Sequence, residues 1–166
     1  MTDLSPLLPA AQALIAMCTH RGLKVATAES CTGGLIAALL TEIPGSSAVV
    51  DRGFVTYSNA AKVDLLGVPR SILDDPKVGA VSEPTARAMA EGALSRSDAH
   101  VVVAVTGIAG PAGGSAAKPV GLVHFAAAKR GGAIIHREER FGNIGRSEVR
   151  LATVREALAM LDELAR

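Results

Sequence analysis

The chain has no tryptophan, one tyrosine and three phenylalanines, so aromatics make up only 2% of its 166 residues. Single-stranded nucleic acid is held on aromatic platforms set in a basic groove. The formal net charge is +1, so the basic groove is missing along with the platforms, and nucleic acid is excluded as a partner class. No apolar run approaches the roughly 20 residues that cross a bilayer, so no membrane span is expected. Two cysteines, Cys18 and Cys31, are too few for a disulfide scaffold. They read as free thiols in a reducing cytoplasm. The first apolar residues follow Asp3 rather than a basic stretch, unlike a secretory signal. His20, His100, His124 and His136 lack metal-ligand spacing, and neither a metal nor another cofactor is expected. Exposed strand positions account for His124 and His136, which face each other across a predicted hairpin.

What the chain does have is aliphatic and small residues: 49% of it is apolar and 17 residues are glycine. A chain of this length can bury about two-thirds of its unfolded surface, so one domain over residues 1–166 is expected. Ser5-Pro6 predicts a capped helix start, with Leu7, Leu8, Ala11, Leu14, Ile15 and Cys18 inward and Gly22 as its stop. A strand over 23–28 and a helix over 33–41 come next. Another strand over 47–57 ends at the capping pair Ser58-Asn59, which opens a short helix to Leu66 that Gly67 closes. Residues 68–80 read as irregular. Ser82 caps a helix with Ala86, Met89, Ala90, Ala93 and Leu94 inward. Val101-Val102-Val103-Ala104-Val105 is continuously apolar, the pattern of a central strand covered on both faces. A glycine-rich loop over 107–114, a hairpin over 120–128 and 133–141, and a long helix from about Arg146 complete the chain. This alternation predicts an α/β protein, a three-layer α/β/α sandwich around a mixed, mostly parallel sheet. Ligands bind such sheets beyond the strands' carboxyl ends.

Three segments lie at those ends. The first is Thr27-Ala28-Glu29-Ser30-Cys31-Thr32-Gly33-Gly34, a strand-to-helix turn carrying two nucleophiles. Outward-facing amides at such a turn can stabilise the negative charge that an attack creates. Ser30 can be a helix cap or a nucleophile. Cys31 is its rival, because a helix N-terminus lowers a thiol pKa. The second segment is Tyr57 to Lys62. If Asn59 caps its helix, Lys62 lies in the first turn, where the macrodipole disfavours positive charge. Burial there would favour the neutral amine that a general base requires. Tyr57 could relay a proton or orient that amine. The third is the loop from Thr106 through Gly107 and Gly110 to Gly114, whose backbone can approach a ligand closely but which lacks Walker A and dinucleotide-binding spacing. Arg146 and Arg150 share a face of the last helix and are candidates for a phosphate, or simply a solvated basic surface.

Taken together, TAESCTGG (27–34), GFVTYSNAAKVDLLGV (53–68), GAVSEPTARAMAEGA (79–93), AVTGIAGP (104–111) and KPVG (118–121) resemble the CinA C-terminal domain family. Its stand-alone form is nicotinamide-nucleotide amidohydrolase (PncC). The resemblance spans nearly the whole chain, with Ala112 where the family often carries glycine. It implies a three-layer domain that hydrolyses nicotinamide mononucleotide to nicotinate mononucleotide and ammonia, with Ser30, Lys62 and Tyr57 as catalytic residues. Cys31, Thr32, Gly33, Gly34, Thr106, Gly107, Gly110, Arg146 and Arg150 would contact this small-molecule nucleotide. A homodimer is also implied. The alternative is a non-catalytic nucleotide-binding or interaction domain with the same pocket.

Overall fold

A computed structural model describes residues 2–166. The first helix, α1 (Leu8–Arg21), follows a 3-10 turn over Ser5–Leu7 and ends at Gly22, whose φ of 65° is left-handed. Ser5 does not cap it; instead the Ser5 amide donates to Asp3 Oδ1 at 2.9 Å. Leu7, Ala11, Leu14, Ile15 and Cys18 are buried as the helical spacing predicts.

Strand β1 (Val25–Glu29) is followed by α2 (Leu35–Glu42), β2 (Val50–Val55), α3 (Asn59–Leu66) and α4 (Arg70–Leu73). Then come α5 (Glu83–Ser95), β3 (Val101–Gly107), β4 (Leu122–Lys129), β5 (Ile134–Arg140) and α6 (Arg146–Ala165). The expected strand over 47–57 is shorter because Ser46–Ala48 forms a 3-10 turn, and α4 lies inside the stretch read as irregular.

The sheet order is β2-β1-β3-β4-β5. β1 pairs in parallel with β2 and β3, while β4 pairs antiparallel with β3 and β5. The sheet is therefore mixed, with parallel and antiparallel pairs equal in number. Val101, Val103 and Val105 join the core beneath α1, α2 and α6; Val102 and Ala104 join the core beneath α3 and α5. This two-sided burial explains the unbroken apolar run of β3.

From β1 the chain leaves through α2 on one face, and it returns to β3 through α3, α4 and α5 on the other. The crossovers leave the carboxyl ends of the adjacent strands β1 and β2 on opposite faces, the arrangement that opens a crevice in such sheets. The position of α3 over this crevice depends on Gly92 of α5. A Cβ built at Gly92 would lie 2.0 Å from the Leu66 carbonyl oxygen. Replacing a mid-helix glycine by alanine ordinarily stabilises a helix by about 1 kcal/mol. At Gly92 the sign reverses: Gly92→Ala is expected to lose roughly 1–3 kcal/mol, read as a lower urea midpoint.

Candidate active site

The turn after β1 takes its shape from residues at both ends. The Ser30 amide donates to the Val105 carbonyl at 3.1 Å, so β1–β3 pairing continues one residue past the strand. The Gly33 amide returns to the Ser30 carbonyl at 3.0 Å. Gly33 and Gly34 have φ values of 60° and 100°, in the left-handed region that only glycine adopts without strain.

Glu29 organises the rest of the turn and the start of α2, and it is the residue that sequence reasoning missed. It is fully buried, and its carboxylate accepts from the Gly34, Ile36 and Ala37 amides at 3.0, 3.0 and 2.9 Å. The Thr27 and Thr32 hydroxyls add bonds of 3.0 and 2.7 Å. A carboxylate thus occupies the N-terminal end of α2, where orphan amides and the helix dipole both favour an anion. The available signal was an acidic residue ending a strand a few positions before a helix that has no side-chain cap of its own.

This arrangement narrows the expected oxyanion site. The Gly33 and Gly34 amides, both expected to face a ligand, are engaged by Ser30 and Glu29. Among the described residues the Cys31 and Thr32 amides have no protein acceptor.

Lys62 arrives from α3. Ser58, not Asn59, caps that helix by accepting from the Ala61 amide at 3.0 Å, so Lys62 is its fourth residue. Helical side chains lean toward the N-terminus, and this one runs back beneath its own cap. Its Nζ lies 3.0 Å from Ser30 Oγ and 2.9 Å from the Thr56 carbonyl. The residue is 1% exposed and forms no ion pair among the described residues. Burial without a carboxylate pushes the amine's pKa below the ordinary lysine value, opposed weakly by the neighbouring Cys31. In the neutral form it can donate to Thr56 and accept the Ser30 proton.

The Cys31 thiol does not follow the lowering expected at a helix N-terminus. The residue is buried, and burial pushes the thiol up to about 12, overriding that lowering. Cys18 is also buried and free, and burial raises its pKa too.

Tyr57 is 61% exposed, and its hydroxyl accepts from Arg146 Nη2 at 3.0 Å rather than meeting Lys62. Arg146 Nη1 donates to the Gly110 carbonyl at 2.9 Å, so this side chain ties Tyr57 to the glycine loop at the crevice rim. Arg150 turns inward: Nε donates to the Cys31 carbonyl at 3.2 Å and Nη2 to the Thr32 carbonyl at 2.8 Å. The two arginines share a helical face but serve different segments. Thr106 is buried and donates to the Ala80 carbonyl at 2.7 Å. Gly107 and Gly110 allow close packing, since a Cβ at either would come within 2.6 Å of Val123 or Val120.

His124 and His136 are brought together, with Nδ1 and Nε2 3.0 Å apart, but not at exposed positions. His124 is 8% exposed, and burial lowers its imidazole pKa.

The fold and crevice define a three-layer α/β domain that carries a buried serine–lysine pair where its crossovers diverge. Residues 8–165 match the CinA C-terminal domain, and the chain belongs to that family. A CinA-like protein of Akkermansia muciniphila is 56% identical over 121 residues, covering 73% of this chain and 29% of the relative. One from Syntrophus aciditrophicus is 52% identical over 150 residues, covering 90% and 35%. The chain thus spans about a third of the length of the curated relatives it matches. The crystal structure of competence/damage inducible protein CihA from Agrobacterium tumefaciens superposes with a TM-score of 0.94 at 61% identity, covering 96% of each chain. A CinA superfamily protein from Escherichia coli gives 0.89 at 35% identity, covering 99% of this chain and 93% of its own.

Proposed function

We propose that the chain is a nicotinamide-nucleotide amidohydrolase that converts nicotinamide mononucleotide and water to nicotinate mononucleotide and ammonia. The observation that carries this reading is the 3.0 Å contact between Ser30 Oγ and the buried Lys62 Nζ. A neutral amine at that distance is placed to take the serine proton as Oγ attacks the carboxamide carbon. The oxyanion that forms is held by the Cys31 and Thr32 amides, each such donor typically lowering the barrier by about 3 kcal/mol. Collapse breaks the carbon–nitrogen bond, and Lys62 returns its proton to the departing ammonia. Water, deprotonated by the same amine, then cleaves the serine ester and restores Ser30. The substrate's pyridinium ring assists by withdrawing electrons from the carboxamide.

Arg146, exposed at the rim beside Tyr57 and the glycine loop, is the better placed of the two arginines to meet a phosphate. The loop that follows the buried Thr106 would line the ribose side, with Thr106 anchoring its base on the Ala80 carbonyl.

Ammonia release from nicotinamide mononucleotide tests the reading. The wild type and Cys31→Ala should both turn over, while Ser30→Ala loses at least about 10³-fold. A wild type that binds the nucleotide without releasing ammonia would make this a binding domain. Loss in Cys31→Ala with Ser30→Ala fully active would move the nucleophile to the thiol.

A further inference from the structure

We propose that Arg150 is a positioning residue that aims the oxyanion-binding amides of the 30–33 turn, rather than a ligand for the substrate's phosphate. This rests on the reading of Ser30 as a nucleophile.

In a trans peptide the carbonyl and the N–H of one plane point in opposite directions. The Cys31 carbonyl shares its plane with the Thr32 amide, and Arg150 Nε holds that carbonyl at 3.2 Å. The guanidinium therefore turns the Thr32 N–H away from itself, and that N–H has no protein acceptor among the described residues. Nη2 holds the next carbonyl, that of Thr32, at 2.8 Å. The opposite end of that plane is the Gly33 amide, which donates to the Ser30 carbonyl at 3.0 Å. The Ser30 carbonyl in turn shares its plane with the Cys31 amide, the other donor without a partner. One planar fork from α6 thus holds two consecutive peptide planes directly and bears on a third through the Gly33 amide.

Two features require an outside clamp. Gly33 and Gly34 are both left-handed, and glycine backbones cost more entropy to hold than any other. Glu29 fixes the α2 end of the turn through Gly34, Ile36 and Ala37 but accepts from neither the Cys31 nor the Thr32 amide. Among the described residues Arg150 is the side chain that holds the Cys31 carbonyl, and at the Thr32 carbonyl it adds a shorter bond to that of the Leu35 amide at 3.4 Å. Lysine could not replace it, because one ammonium on a flexible stem does not present the rigid two-point fork.

The test uses the full chain, with Arg150→Met, Arg150→Lys and Arg150→Ala compared with wild type in two assays. The first is nicotinamide mononucleotide hydrolysis with kcat and KM separated. The second is the rate at which an alkyl fluorophosphonate labels Ser30. In labelling, Oγ bonds to phosphorus, fluoride leaves and the serine proton passes to Lys62, while the phosphoryl oxygen develops charge against the same amides. Misaimed donors should lower both kcat and the labelling rate by about 10- to 100-fold in Arg150→Met, with KM nearly unchanged. Arg150→Lys should fall between Arg150→Met and wild type. Guanidinium ion, but not equimolar sodium chloride, should restore labelling of Arg150→Ala. A raised KM with unchanged kcat and labelling would make Arg150 a phosphate ligand and overturn the proposal. So would wild-type labelling in Arg150→Lys, the variant that keeps charge and bulk if the others fail to fold. A wild type that labels at Ser30 without releasing ammonia would remove the substrate assignment and leave this inference to the labelling rates. A wild type that does neither removes both.

Discussion

Lys62→Met is expected to lower kcat/KM for nicotinamide mononucleotide by roughly 10²- to 10⁴-fold, the range that a positioned general base contributes. The same substitution should leave stability unchanged or raise it. Lys62 is among the largest of the fully buried side chains, and its polar contacts are a hydroxyl and a carbonyl, with no carboxylate. Methionine fills a similar volume without a charge to desolvate. Loss of activity with gain of stability would separate a functional burial from a structural one.

The pH dependence has a definite sign. The folded-state pKa of Lys62 is depressed below the ordinary 10.5, so between those two values the unfolded chain binds more protons. Wild-type stability therefore rises through that window, and the advantage of Lys62→Met is greatest below it and fades toward pH 10.5. Wild-type kcat/KM should also rise through the depressed value, as the amine loses its proton. Urea midpoints of the two proteins between pH 7 and 10.5 provide the measurement. A gap that stays constant would mean the amine is not depressed, and full activity in Lys62→Met would remove it as the base.

Glu29→Ala should cost about 3–5 kcal/mol, because three amides at the start of α2, one buried and two half-buried, lose their acceptor together with two threonine hydroxyls. For a domain of 166 residues this is a fall in Tm of roughly 10 °C or more. Glu29→Gln should lose less. Its carbonyl can take the Oε2 position, which serves two amides, leaving its NH₂ against the single amide of Ala37. Calorimetry of the three proteins ranks them. A loss under about 1 kcal/mol in Glu29→Ala would show that water replaces the carboxylate and that the turn does not depend on it. Because Gly34 belongs both to that carboxylate's shell and to the nucleophile's turn, activity should fall with stability in this series, unlike in Lys62→Met.

Local interactions were readable without coordinates. The stops at Gly22 and Gly67, the Ser82 cap and the hairpin around Gly131 depend on neighbours within a few residues. So did the β3 run, whose covered pattern requires only that helices lie on both faces. The differences lie where a local turn intervened: a 3-10 turn replaces the Ser5 cap before α1 and another shortens β2, while of the capping pair Ser58-Asn59 it is Ser58 that caps α3.

The amino-acid order by itself determined that a serine and a cysteine stand on a glycine-bearing turn, and that a lysine begins a helix farther along. Which of them meet was decided only by tertiary structure. Ser30 and Lys62 are 32 residues apart, and Arg150 reaches carbonyls 118 and 119 residues away. Capping and periodicity act over three or four positions, whereas these contacts depend on which face each crossover takes and how closely α3 can approach α5 at Gly92. Packing also reversed the expected chemistry of the turn's thiol, while the amine followed its expected direction. Burial raised the thiol and lowered the amine because removal from water penalises the charged form of each.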